Sequence, residues 1–168
     1  MEFLVWLEDS GFGTAVREGI WAYPLIIVLH GMGMGTVVGI STMMGLRLLG
    51  FLPGIPLDPM KKLFTFVWLG FWINAASGGL LMVAHATEMF TNWVMYIKLA
   101  SVALAILSIR LLQTHAFGNP HPTWPAPKVK MVAGTLLCLW AVAVTAGRLT
   151  AYYGQMIDSL DLIEMGLR

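Results

Sequence analysis

The sequence predicts an all-α integral membrane protein, a four-helix transmembrane bundle with short interfacial helices at its termini. Two measures of composition and one pattern carry this. Of the 168 residues, 58% are AVILMFWYC and only 11% are charged, against about 25% charged in ordinary soluble domains. Mean hydropathy is +0.76. Four apolar segments each reach the roughly 20 residues that a helix needs to cross a bilayer. Proline-rich stretches interrupt them, and the whole chain, 1–168, reads as one membrane domain.

The elements follow in order. Phe3, Leu4, Trp6 and Leu7, with Glu2, Glu8 and Asp9 nearby, read as an amphipathic helix lying in the headgroup layer. The acidic start MEFLVWLEDS lacks the basic opening of a secretion signal. The first span runs from about Trp21 to Leu46. GFLPGIPLDPMKK, residues 50–62, is a loop with three prolines. The second span runs from about Leu63 to Phe90 and the third from about Trp93 to Leu112. The short turn at Glu88–Asn92 makes these two a tight hairpin. HAFGNPHPTWPAPK, residues 115–128, has four prolines. The fourth span runs from about Val129 to Tyr153. Met156, Ile157, Leu160, Ile163 and Leu167 then recur at helical spacing, as in a second interfacial helix.

Basic residues in short loops mark the cytoplasmic side. Arg47, Lys61, Lys62, Arg110, Lys128 and Lys130 flank the two proline-rich loops, whereas Arg17, Lys98, Arg148 and Arg168 fall toward the other side. This bias places both termini outside, in the periplasm if the membrane is a bacterial inner membrane. A net charge of +1 gives no reason to expect nucleic acid. The lone Cys138 excludes an intrachain disulfide and a thiolate zinc cluster. HExxH, nucleophile and phosphate-loop motifs are absent, so catalysis beyond redox chemistry is not expected.

The chemistry concentrates in VLHGMGMGTVVG, residues 28–39. At 100° per residue, Gly31, Gly35 and Gly39 form a GxxxGxxxG stripe, a seam for close helix approach in lipid. It makes a homo-oligomer, or a place in a larger membrane complex, an expectation. His30 lies on another face, with Gly33, Met34 and Val37. On the second span His85 shares a face with Asn74, Gly78, Leu81, Met82 and Met89. Arg148, in TAGRLTAYYG, lies about five residues inside the outer end of the fourth span. An arginine at that depth needs an anion or must reach back to the interface.

Two intramembrane histidines on antiparallel spans, each beside a glycine, suit a b-type heme. His30 and His85 are the candidate iron ligands. Gly33 and Gly78 leave room for the ring, Arg148 meets a propionate, and Met34 and Asn74 line the site. His115 and His121 lie at the cytoplasmic end and are expected to be incidental; whether His115 joins a second heme through a neighbouring chain is left open. Copper is the rival cofactor, because His30 with Met34 and His85 with Met82 and Met89 offer imidazole and thioether, and soft sulfur favours Cu(I). A cofactor-free accessory subunit, with the histidines as interhelical hydrogen-bonding glue, is the third reading.

WAYPLIIVLHGMG, MVAHATE and AGRLTAYYG resemble segments of the small four-helix membrane b-type cytochromes and of the copper-resistance-D-like membrane proteins. The resemblance covers about residues 20–153. It implies electron transfer, with quinone or a periplasmic redox protein as partner. Larger cytochromes of this kind stack two hemes. Here the cytoplasmic side lacks a second matched histidine pair, which implies one heme near the outer side.

Overall fold

A computed structural model describes residues 2–118 and 124–164, with residues 151 and 153–164 described by their backbone alone. Eight helices account for the regular structure among them: α1 (Glu2–Glu8), α2 (Gly11–Glu18), α3 (Ala22–Leu49), α4 (Leu57–Met60), α5 (Leu63–Ala84), α6 (Ala86–Thr91), α7 (Trp93–His115) and α8 (Ala126–Glu164). Four stretches are long and apolar enough to cross a membrane: Ala22–Leu49, Leu57–Ala84, Trp93–His115 and Ala126–Thr150. The four-span, all-α architecture read from composition and hydropathy is the observed one.

Local chemistry sets several ends. Ser10 starts α2, its hydroxyl accepting from the Gly13 amide at 3.1 Å, as an N-cap should. Pro24 falls in the first turn of α3, where no intrahelical partner is lost. Gly50 ends α3 at φ +102°. Its amide donates to Arg47 O and Leu46 O, and Phe51 N also donates to Leu46 O, a left-handed glycine stop. Asn92 opens α7 by accepting from Val94 N at 2.9 Å.

Two predicted boundaries move. The second span does not continue to Phe90. It breaks at His85 (φ −133°, ψ 48°), and the short α6 follows. The backbone of α8 continues through the expected fourth-span end to Glu164, so no separate C-terminal helix forms up to that residue. Its 39 residues span about 58 Å by helical rise, well beyond a hydrocarbon core of about 30 Å. The side chains of Met156, Ile157, Leu160 and Ile163, like Gln155, lie outside the described residues. So do His121, Leu167 and Arg168.

The spans pair as α3 with α5 and α7 with α8, and the pairs meet across α3 and α8. The α3–α5 contact is close because two glycines face each other's backbones. A Cβ on Gly33 would sit 2.8 Å from both Asn74 N and Gly70 O, and one on Gly70 would sit 3.1 Å from Gly33 O. Gly31, Gly35 and Gly39 are not that seam: nothing lies within 4 Å of a Cβ added to any of them. Among the described residues no helix packs on the stripe.

The hydrophobic core fills the half of the bundle near the proline-rich loops. Met44, Phe64, Val67, Ile109, Leu112, Phe117, Leu136 and Trp140 meet there. α5 and α7 are clamped at that end, where Trp68 Nε1 donates to Gln113 Oε1 at 3.1 Å and Arg110 lies 4.2 Å over the Trp68 ring. Toward the other end the two helices contact each other little, so they are not the tight hairpin their short turn predicts.

Candidate functional site

The gap between α5 and α7 is a cavity of ≈ 320 Å³. α3 contributes only His30 to its wall. α5 contributes Phe71, Asn74, Ala75, Gly78, Gly79, Leu81 and Met82; α6 contributes Met89; α7 contributes Met95, Lys98, Leu99 and Val102. Ala75, Gly79 and Leu99 are exposed, so the cavity opens sideways, toward lipid once the protein is embedded. A smaller recess of ≈ 30 Å³ shares His30, Phe71, Asn74, Lys98 and Val102 and adds Met34, Val37, Trp140, Ala143 and Val144. His30, Asn74 and Lys98 thus border both spaces.

The hydrogen bonds around His30 fix its ring. Nδ1 lies 3.2 Å from the Asn74 carbonyl and 3.2 Å from Ser77 Oγ. The Ser77 hydroxyl spends its own proton on a carbonyl of its helix, Ile73 O at 2.6 Å or Asn74 O at 3.1 Å, so it accepts from the histidine. The Asn74 side-chain amide donates to His30 O at 2.8 Å. Asn74 Nδ2 also lies 3.4 Å from Nδ1, but its shorter bond is the one to His30 O; the two closer groups at Nδ1 accept, which favours the proton there and the lone pair on Nε2. Among the described residues Nε2 has no hydrogen-bond partner. A ring held through Nδ1–H by a backbone carbonyl is the arrangement of a metal-binding histidine. Gly78 makes the approach possible: a Cβ there would be 3.0 Å from His30 Cε1.

Several expected site residues lie elsewhere. His85 is not on either cavity wall. It sits at the break after α5, seven residues beyond Gly78, with its ring edge-on to Tyr23 at 5.7 Å. No cavity wall carries both imidazoles, and His85 Nε2 is itself buried with no hydrogen-bond partner among the described residues. Gly33 is occupied by its contact with α5 and admits no ring. Gly78 accommodates the His30 imidazole itself. Arg148 is exposed on α8, outside both cavities. Met34 and Asn74 do line the site.

Lys98 lines the same spaces although its spacing in the sequence does not single it out: it lies five residues inside α7, and both cavities include it. Its stem packs along Gly147, whose added Cβ would meet Lys98 Cε at 3.6 Å. Among the described residues no carboxylate lies within ion-pair distance of it. The signal was legible: a lysine well inside an apolar span, with Val94, Met95, Ser101 and Val102 at helical spacing around it and no acid to pair.

Among the described residues no group of three or more His, Cys, Asp or Glu side chains could hold a metal ion. The donors that do converge are one imidazole and the thioethers of Met82, Met89 and Met95. No protein-family model, curated protein or solved structure matches this chain. Its function is therefore argued from its own residues.

Proposed function

We propose that this chain is a membrane-embedded b-type cytochrome that holds one heme in the cavity between α5 and α7, with His30 as an iron ligand. The observation that carries the reading is the His30 ring: its Nδ1 is fixed by Asn74 O and Ser77 Oγ, while its Nε2 is left without a partner beside a mostly apolar cavity. The residues suit the group in three further ways. Gly78 and Gly79 put no side chain on their part of the wall. Met82, Met89 or Met95 would offer a thioether to the iron beside the His30 imidazole, and histidine with methionine is an established iron donor set. Lys98 supplies a cation inside the membrane-spanning region. Bound heme would supply one-electron transfer, with quinone or a periplasmic redox protein as the partner class. The basic-residue bias supports an orientation in a bacterial inner membrane with both termini periplasmic, which puts His30 in the outer half of the bilayer.

The test is the absorption spectrum of the purified protein, oxidised and dithionite-reduced, made with heme available. A Soret band that His30→Ala abolishes and His85→Ala retains is the expected result. A flat visible spectrum in the wild type sinks the reading and leaves the cofactor-free accessory role. A Soret band lost equally in both variants sinks the assignment of the ligands.

A second reading has its own observation. Three methionines and one imidazole lining one cavity are also a Cu(I) donor set. The Lys98 ammonium beside His30 opposes a bound cation and favours an anionic group, which ranks copper behind heme. Metal analysis of the same samples separates the two: copper that is lost in a Met82→Leu, Met89→Leu, Met95→Leu triple variant supports this second reading.

A further inference from the structure

The ≈ 320 Å³ cavity between α5 and α7 is exposed at mid-height and not at its ends. Toward the proline-rich loops the core and the Trp68, Gln113 and Arg110 contacts join the two helices. Toward the other end Met82 and Met89 are half-buried and Met95 is buried. There α1 packs on α6 and α2 on α5, held by Glu8 on Thr87 N and Arg17 on Ala84 O. The exposed lining residues are Ala75, Gly79 and Leu99. Gly79 and Ala75 lie five and nine residues before Ala84, the end of α5, and Leu99 six residues after Trp93, the start of α7. These are depths of about 8–14 Å by helical rise, inside a hydrocarbon core about 30 Å thick. The opening therefore faces acyl chains and not water. Among the lining residues only His30, Asn74 and Lys98 have polar side chains. A bound water needs two to four polar partners, so most of this space does not suit water. Left empty, its walls would forfeit their dispersion contacts.

We infer that a lipid acyl chain enters this cavity through a lateral window framed by Ala75, Gly79 and Leu99, so that the site is filled and emptied from the hydrocarbon of the bilayer. Ala75 and Gly79 put at most a methyl group on the α5 side of the window. Leu99, 40% exposed, is the one large side chain at the rim and sets its width. The window rests on the cavity alone. On the heme reading above, the cofactor takes the same route and displaces the chain, and that second step rests on that reading.

The experiment uses the full chain in phospholipid vesicles without cofactor, with a phospholipid that carries a photoreactive diazirine midway along one acyl chain. Peptide mass spectrometry locates the label. Met95 is 5% exposed and Trp72 66% exposed, so label on Met95 comes from inside the cavity and label on Trp72 from ordinary lipid contact. The expected result is label on both in the wild type. Leu99→Trp narrows the window and lowers the Met95 label while Trp72 keeps its own; Leu99→Ala raises the Met95 label. Thermal melting shows that each bundle is intact, and if Leu99→Trp does not fold, the rise in Leu99→Ala carries the test. Hemin dissolved in the same vesicles suppresses the Met95 label alone. Its loading, followed by the Soret change, is slowed in Leu99→Trp by about tenfold, a barrier higher by about 1.4 kcal/mol, and reaches the same final amplitude. If Met95 takes no label in the wild type, or takes the same label in all three proteins, the window is overturned, and a Soret band in those samples leaves the heme reading standing. If the Met95 label follows residue 99 as expected but hemin gives no Soret band, the heme reading fails and the window stands.

Discussion

At the scale of single residues, the site is a problem of which atom holds a proton. The His30 Nδ1 lies 3.2 Å from each of two acceptors and 3.4 Å from the Asn74 amide, while Nε2 faces no partner, so the closer acceptors favour a proton on Nδ1 before any ligand arrives. Ser77 supplies one of those acceptors and the Asn74 backbone the other. Ser77→Ala removes the hydroxyl and keeps the carbonyl. Loss of an outer partner of a metal-binding histidine costs about 10–100-fold in affinity. With one acceptor left, the expected result is the low end, roughly tenfold weaker heme binding in a titration, with the Soret band still reached at saturation. An unchanged affinity would mean that the hydroxyl does not orient the ring. At this scale the sequence was informative where polarity stood out against lipid. His30, Asn74 and Met34 were found because a polar or sulfur-bearing group on an apolar face demands a reason. Gly33 packs against the α5 backbone, a contact that spacing along one helix does not reveal because it does not say which neighbour fills the space beside it. Lys98 is hidden for a related reason: it is ordinary in its own segment, and only the packing of α7 against α8, which lays its stem along Gly147, brings it to both cavities.

At the scale of elements, the break after α5 shows how a distant segment can end a helix that composition would continue. Residues 63–90 contain no proline, and glycine only at 70, 78 and 79, so nothing local stops the span at Ala84. The partners come from the N-terminal helices. Glu8 Oε2 accepts from Thr87 N at 2.9 Å, in the first turn of α6. Arg17 reaches Ala84 O at 3.5 Å and Glu8 Oε1 at 3.3 Å. One ion pair thus serves both sides of the break, taking a free amide on one side and a free carbonyl on the other. Partial burial works against the Glu8 carboxylate, but the Thr87 amide and hydroxyl, then Arg17 and His85, outweigh it and hold its pKa below the usual carboxylate value. A carboxyl group depressed in the folded state adds stability above its unfolded pKa and loses it as pH falls through the folded value. The wild type is therefore expected to lose melting temperature between about pH 5 and pH 3. Glu8→Gln is less stable than the wild type at pH 7 and flatter over that acidic window. Thermal unfolding in detergent at both pH values measures this. Parallel curves for the two proteins would show that Glu8 does not hold α1 and α2 onto the bundle.

At the scale of the whole molecule, the helix count came from hydropathy and the arrangement did not. Four apolar runs of spanning length are visible in any window of the sequence. Which pairs pack is decided by where backbones can approach, and Gly33 and Gly70 give that privilege to α3 and α5. The core with its clamp at Trp68, Gln113 and Arg110 closes one half of the bundle, so α5 and α7 diverge in the other. In lipid there is no hydrophobic penalty that forces such a gap shut; packing and hydrogen bonding must do it. A gap lined by Gly78, Gly79 and Ala75 therefore persists, and it is the feature on which every ligand reading depends. Filling it from the rim tests that dependence without touching His30, Asn74 or Lys98. A Cβ on Gly79 meets nothing within 4 Å, so Gly79→Leu adds a side chain to the cavity wall at no cost to helix packing. The expected result is a melting temperature at or above that of the wild type, with heme binding weakened by at least about tenfold, or about 1.4 kcal/mol. Gly35→Leu makes the same change on the outer stripe of α3, where an added Cβ also meets nothing within 4 Å. It leaves heme binding unchanged, and any effect it has on oligomeric state reports on that stripe alone. If Gly79→Leu takes up heme as the wild type does, the ligand does not lie between α5 and α7, and the assignment of the cavity fails.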